Sequence, residues 1–343
     1  MSTPVQPSGP AAPSPVLFFD TVNAYQRTAA LKSAVELGLF TAIAEGADTP
    51  AALAARTQAA ERGVRILTDY LTILGFLTKK GDRYALTPDT ALFLDRRSPA
   101  YLGGGLEFLL SKGLTAAFDD LTPAVRKGGT AMPESGTLAP EHEVWVRFAR
   151  AMRPMMAGPA EALAGLVLAG SKRPMKVLDV SASHGAFGLA FAAANPAARV
   201  VALDWPNVLE VTKENARAAG VTDRLETIPG SAFDVNFGGG YDVVLLPNFL
   251  HHFDAATCEA LLRRIHPALN DGGRVATLEF IPGDDRITPP MAGAFALMML
   301  GTTPAGDAYV FAEYERMFRN AGYRKSELHD LPATVQRVVI SWK

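Results

Sequence analysis

The sequence predicts an α/β fold: an open, largely parallel sheet with helices on both faces, behind a smaller helical region closed by a short hairpin. Three observations predict it. From Lys176 onward, short apolar runs alternate with stretches of helical periodicity. Val177-Leu-Asp-Val180 passes through the small residues Ser181 to Gly185 into an Ala-rich segment, Ala186 to Ala194, as the first half of a βαβ unit does. Ahead of residue 100, helical stretches are followed by two short strand-like runs around Gly81-Asp82.

The 343 residues allow two domains, and a hydrophobic share of 48% supplies a large core. No apolar run approaches the ~20 residues of a membrane span. Residues 1–15 are rich in Pro, Ser and Ala without a charged region before an apolar block, and read as a disordered tail rather than a signal peptide. A net charge of −2 gives no electrostatic case for nucleic acid or an anionic membrane. Cys258 is the only cysteine, which rules out an intrachain disulfide and a thiolate metal cluster. The expectation is a soluble, cytoplasmic protein.

Residues 16–100 read as one domain. Apolar positions recur at helical spacing from Phe18 to Phe40, with Leu31, Val35 and Leu39 on one stripe, and Gly38-Leu39-Phe40 turns the chain. Thr49-Pro50 opens a short helix to Arg56, Thr49 as N-cap and Pro50 at the first helical position. A longer helix runs from Ala60 to Leu74 and stops at Gly75. Phe76-Leu77-Thr78 and Tyr84 to Thr87 are the strands of a wing, completing a winged-helix outline. Winged helices commonly read DNA, yet ten Lys and Arg face nine Asp and Glu here, and the third helix sets Arg62 and Arg65 beside Glu61 and Asp69. Dimer packing is the better use of this domain.

Residues 101–170 read as a helical linker interrupted by loops at Gly128-Gly129 and Met132 to Gly136. Phe148, Met152, Met155 and Met156 fall near one face after Trp145, as core or as the adaptable wall of a pocket. Residues 171–343 carry the sheet: strands Val177–Val180, Val200–Asp204, Leu225–Pro229, Asp242–Leu246 and Val275–Ile281. An antiparallel pair, Tyr323–Leu331 and Val335–Trp342, ends the chain. An open sheet of this kind binds ligands beyond the carboxyl ends of its strands. Those ends carry Asp179, Asp204, the Gly230-Ser231-Ala232-Phe233 turn, Asn248 and His251. Asp204 suits ribose hydroxyls, whereas Asp179, just before the turn, would repel a pyrophosphate. A ligand with a ribose, an ammonium and a sulfonium but no phosphate answers both acids, which is the chemistry of S-adenosylmethionine.

Taken in order, Leu178-Asp179-Val180 with its turn, Leu203-Asp204-Trp205-Pro206, Asn248 to Asp254, Arg274 to Glu279 and Glu313 to Tyr323 make the chain similar to a known family. It resembles the small-molecule O-methyltransferases that include plant caffeate and acetylserotonin enzymes and bacterial polyketide methyltransferases. The resemblance runs from about Tyr25 to the C-terminus. It implies a Rossmann-like class I methyltransferase sheet behind an α-helical winged-helix dimerisation domain, and a homodimer. It implies metal-independent methyl transfer from S-adenosylmethionine to a hydroxyl of a small aromatic or polycyclic acceptor, leaving S-adenosylhomocysteine. In that register His251 is the general base and Glu279 the acid that orients it. Asp179, Ser181, Gly185, Asp204, Trp205, Ser231, Ala232, Phe233 and Asn248 hold the donor. Phe108, Phe148, Met152, Met156, Met291, Phe295 and Met298, all large and apolar, are the candidate acceptor wall.

The chain departs from the family pattern at three places. Its turn reads Ser181-Ala182-Ser183-His184-Gly185 where glycines are usual, Ser231 stands where an acid is usual, and no acid falls at Ala308–Tyr309, Asp307 being the nearest. The alternative these departures leave open is the same fold binding S-adenosylmethionine but catalysing decarboxylation, hydroxylation or a pericyclic reaction.

Overall fold

The computed structural model describes residues 13–132, 143–332 and 334–343. Most of the N-terminal tail and of the Met132 to Gly136 loop therefore lies outside the described residues. The chain divides at Gly103/Gly104 into two compact units.

In the first unit, helices Val16–Val22 and Ala24–Glu36 replace the single helix expected over residues 18–40; the break falls at Asn23. Gly38, at φ 68°, does not end helical structure but redirects it, because Leu39–Ala44 follows as a further helix. Its Leu39, Phe40, Ala42 and Ile43 are all buried, and that burial holds so short a helix together. Pro50–Thr57 starts as expected, with the Thr49 hydroxyl accepting from the Ala52 amide. Glu61–Ile73 packs Val64 and Leu71 into the core, and β1 (Leu77–Lys80) pairs antiparallel with β2 (Arg83–Leu86). Asp69 joins hairpin to helix: it accepts from the Lys79 ammonium at 2.5 Å and the buried Tyr84 hydroxyl at 2.7 Å, and both bonds hold its carboxyl below the usual carboxylate range.

In the second unit, among the described residues, seven strands form one sheet: β3 (Met175–Val180), β4 (Ala198–Asp204), β5 (Leu225–Pro229), β6 (Tyr241–Pro247), β7 (Leu269–Glu279), β8 (Lys325–Asp330) and β9 (Arg337–Trp342). Their order is β5-β4-β3-β6-β7-β9-β8, parallel except for β9, which runs antiparallel to both β7 and β8. The central strands are apolar on both faces because each face has its own core. Leu178, Val180, Val201, Leu203, Val244 and Leu246 pack beneath helices Ala255–Ile265 and Phe311–Asn320. Their neighbours in sequence, Val177, Val200, Val243 and Leu245, pack beneath helices Glu143–Leu168 and Ala186–Ala194. The helix Glu143–Leu168, from the region read as a helical linker, packs Ala160, Leu163, Ala164, Val167 and Leu168 into this unit's core.

After β3 the chain steps outward to β4 and β5, then returns to place β6 on the other side of β3. That reversal opens a crevice beyond the carboxyl ends of β3 and β6.

Candidate active site

At the β3 end, Ser181, Ser183 and Gly185 all take left-handed backbone conformations, φ 56°, 53° and 73°. The turn thus keeps the shape a glycine-rich sequence would give it, although two of its three left-handed positions are serines. Gly185 has no alternative: a Cβ there would come within 2.7 Å of the Thr212 methyl. Asp179 lies fully buried beneath the turn, one carboxylate oxygen accepting from the Gly188 amide at 2.8 Å and the other without a partner among the described residues. Burial, and secondarily the nearby Asp204, pushes its carboxyl up to about 7. Asp204 accepts from the Ser183 and Trp205 amides at 2.7 Å each, and burial raises it to about 6. Two buried acids at the ends of neighbouring parallel strands match a positively charged ligand carrying ribose hydroxyls and no phosphate.

The other residues placed on the donor side are more dispersed. Ala232 is buried, the Ser231 hydroxyl accepts from the Phe233 amide at 3.1 Å, and Phe233 packs edge-on against Phe253 at 4.9 Å. Trp205 starts the helix Pro206–Ala218 and packs with Val208, Val211 and Ala149. Asn248, at φ 53°, leaves β6 with its amide on the Leu278 carbonyl, and its side-chain oxygen accepts from Gln336.

Opposite the turn, Glu279 ends β7 with no exposure to solvent. One of its oxygens accepts from the amides of Phe249, Leu250 and His251 at 3.0, 2.9 and 3.4 Å, at the start of the 3₁₀ turn Leu250–His252. The other meets His251 Nδ1 at 2.5 Å. A carboxylate on Nδ1 fixes the proton there and leaves Nε2 as an acceptor, the arrangement a general base requires. His251 is itself buried, its ring edge-on to Phe295 at 4.8 Å, and Phe295 stacks on Phe280 at 4.1 Å. His252 lies 4.3 Å from His251, ring to ring, and 5.7 Å from Trp145; burial and the neighbouring His251 hold it uncharged.

Phe108, Phe148 and Trp145 form an aromatic chain with ring separations of 5.0 and 5.8 Å, and Phe148 lies parallel to His184. Met152 is buried, and the Met156 sulfur stands 3.9 Å from the Asn248 amide. Met298 shares the helix Pro290–Thr302 with Phe295, whereas Met291, in that helix's first turn, is 62% exposed. Among the described residues, no group of three or more His, Cys, Asp or Glu is placed to hold a metal ion.

Two residues of this region escaped the sequence reading. His184 is buried in the turn, where its Nδ1 accepts from the Ala186 amide at 3.1 Å; burial, aided by Arg153, lowers it to about 4, so it is neutral. Gln336 reaches Asn248 across 88 residues of sequence. A histidine inside a small-residue turn was a readable signal; nothing local marks Gln336.

A doubly wound sheet whose strand ends carry two buried acids on one side and a carboxylate-held imidazole on the other suits a cationic, ribose-bearing ligand set opposite a proton acceptor. Residues 161–324 match the O-methyltransferase domain, and residues 19–96 match the O-methyltransferase dimerisation domain. The chain is 31% identical to the tetracenomycin polyketide synthesis 8-O-methyltransferase of Streptomyces glaucescens, covering 88% of each chain. It is 30% identical to the 3-hydroxy-5-methyl-1-naphthoate 3-O-methyltransferase of Streptomyces sahachiroi, over 91% of this chain and 90% of that one. The crystal structure of a provisionally assigned O-methyltransferase from Nostoc punctiforme PCC 73102 superposes with a TM-score of 0.94 at 59% identity, covering 97% of this chain and all of that one. The chain belongs to the O-methyltransferase family and is an S-adenosylmethionine-dependent O-methyltransferase.

Proposed function

We propose that this enzyme methylates a hydroxyl of a small aromatic or polycyclic acceptor, with His251 as general base and Glu279 holding it. The pairing of His251 Nδ1 with Glu279 at 2.5 Å carries this reading. S-adenosylmethionine, when bound, supplies an electrophilic methyl group on a sulfonium. The buried carboxylates Asp179 and Asp204 favour that cation and take its ribose and ammonium hydrogen-bond donors. His251 Nε2 receives the acceptor's hydroxyl proton, because a phenol of pKa about 10 is a poor nucleophile until that proton is shared. Glu279, already engaged by three amides, stabilises the imidazolium that results. Phe295, Phe280, Phe148 and Phe108 form apolar walls that exclude water and suit a flat ring. Both relatives described above are named for methyl transfer to hydroxyls of polyketide or naphthoate skeletons, and neither favours a reaction without methyl transfer.

His251→Ala is expected to lower kcat by roughly 10²–10⁴-fold, the usual loss of a general base, while calorimetric donor affinity stays unchanged. The assay is S-adenosylhomocysteine release over a panel of hydroxynaphthoates and hydroxyquinones; near-wild-type turnover would leave proximity alone as the catalytic device.

The first unit is read as a homodimerisation domain. Its first helix exposes Leu17 and Phe18 at 79% and 64%, an apolar face that a second copy would cover. Light scattering at micromolar concentration should give twice the chain mass, and removal of residues 1–23 should shift that mass toward the monomer; a monomeric mass for the intact chain contradicts the reading.

A further inference from the structure

We propose that Arg264 is a positioning residue for the methyl donor, bracing the loop that forms the adenine side of its crevice. The inference rests on the reading of Ser231 to Phe233 as donor contacts.

The loop joins β5 to β6. Its first residue is tied to the β4 end, where the Gly230 amide donates to the Asp204 carbonyl at 2.9 Å, and the Asp234 and Val235 amides turn back to the Ser231 carbonyl at 3.0 Å. Two carbonyls of the loop, those of Ala232 and Val235, are met by one side chain. Arg264 donates Nη1 to the first at 2.8 Å and Nη2 to the second at 2.7 Å, and its guanidinium lies 5.1 Å over the Phe237 ring. Arg264 stands in the last turn of helix Ala255–Ile265, and Leu261, Leu262 and Ile265 root that turn in the core with no exposure. Ala232 and Phe237 are buried, but the crest between them, Asp234 to Asn236, borders an open cleft of about 500 Å³ that Arg264 and Pro267 also line. Apolar packing holds the two shoulders of the loop, while in the crest only Val235 packs, half-buried, against the same core, and Asp234 and Asn236 are exposed. The two bonds from Arg264 are the side-chain ties that fix the crest's backbone. A planar guanidinium holds two carbonyls in one fixed geometry, which an ammonium on a flexible stem does less rigidly. Without it both carbonyls lose a charged donor, the crest has room to relax, and Ser231 to Phe233 lose their fixed place beside Asp204.

The test titrates the full-length protein calorimetrically with S-adenosylhomocysteine and with 5′-methylthioadenosine, which keeps adenine and ribose but lacks the amino-acid end. Arg264→Met should weaken both ligands by the same factor, about tenfold or more, as expected when hydrogen bonds to a charged donor are lost. The KM for the donor should rise with it, while kcat at saturating donor and the KM for the acceptor stay within about twofold. Arg264→Lys should recover part of the affinity. Arg263→Ala, which removes an exposed arginine paired with Glu259 on the same helix, should behave as wild type. A folded Arg264→Met protein with a lower melting temperature and unchanged affinity for both ligands would reduce Arg264 to a structural brace and overturn the proposal. If Arg264→Met does not fold, Arg264→Gln decides, because it removes the charge and one of the two bonds, and unchanged affinity there overturns the proposal equally. Asp204→Asn separates the two levels: unchanged donor affinity in that variant removes the donor reading itself. A loss there without one in the Arg264 variants removes only this inference.

Discussion

Glu279 gives its two oxygens different tasks, and the difference can be tested with one atom. Glu279→Gln keeps the shape, and its carbonyl oxygen can still accept from the amides of residues 249–251. Its amino group would then face His251 Nδ1, which must become the acceptor, so the proton moves to Nε2 and the base is blocked. The expected result is a fall in kcat of about 10³–10⁴-fold with donor affinity and fold retained, as a wrong tautomer produces. Steady-state kinetics beside calorimetry checks it, and a loss below about tenfold would mean that His251 does not act through Nε2. His251 and Glu279 were legible only as a resemblance, because 28 residues separate them and no local pattern links them. What joins them is the pairing of β6 with β7, which sets Pro247 beside Leu278 and brings both strand ends to one edge.

At the scale of the element, the turn Ser181–Gly185 was legible in place and composition, and its backbone was not. Small residues between an apolar run and an Ala-rich segment fixed where the chain bends. They did not reveal that Ser181 and Ser183 adopt the left-handed conformation at φ 56° and 53°. Left-handed backbone costs an L-residue about 1–2 kcal/mol, and Ser183 also buries a hydroxyl without a partner among the described residues. Ser183→Gly removes both costs and adds the unfolded-state entropy of glycine, about 0.5–1 kcal/mol. The net expectation is a gain of about 1 kcal/mol, a rise in melting temperature of about 2–4 °C for a unit of this size, with the Ser183 amide still on Asp204 and donor affinity unchanged. A lower melting temperature would show that the hydroxyl contributes to the turn. The first unit gives the converse lesson. Capping chemistry at Thr49 was readable residue by residue, whereas Leu39–Ala44 was not, because a six-residue helix after a left-handed glycine is held by burial rather than by its own periodicity.

On the scale of the whole molecule, the order of strands determines what the two buried acids do. Because β3 and β4 are parallel neighbours, Asp179 and Asp204 end at one rim, deep enough that burial raises them from the ordinary 3.8 to about 7 and about 6. The native, donor-free protein therefore binds protons more tightly at these sites than the unfolded chain does. Their contribution favours folding below about pH 4, where both states are protonated at no cost, and is lost as pH rises through about 6 to 7 and the carboxylates charge in place. Binding of a sulfonium ligand reverses the balance, since a cation stabilises the charged carboxylates. Donor affinity should therefore rise between pH 5 and 8, and binding near pH 6.5 should release protons. Calorimetry in buffers of different ionisation enthalpy counts those protons, and Asp204→Asn, compared with wild type, cancels the ligand's own ionisation and should lower the count. The thermal stabilisation given by S-adenosylmethionine should grow over the same interval. A donor affinity flat across it, with equal proton release in both proteins, would mean that the acids stay charged without the ligand, or that the ligand never faces them.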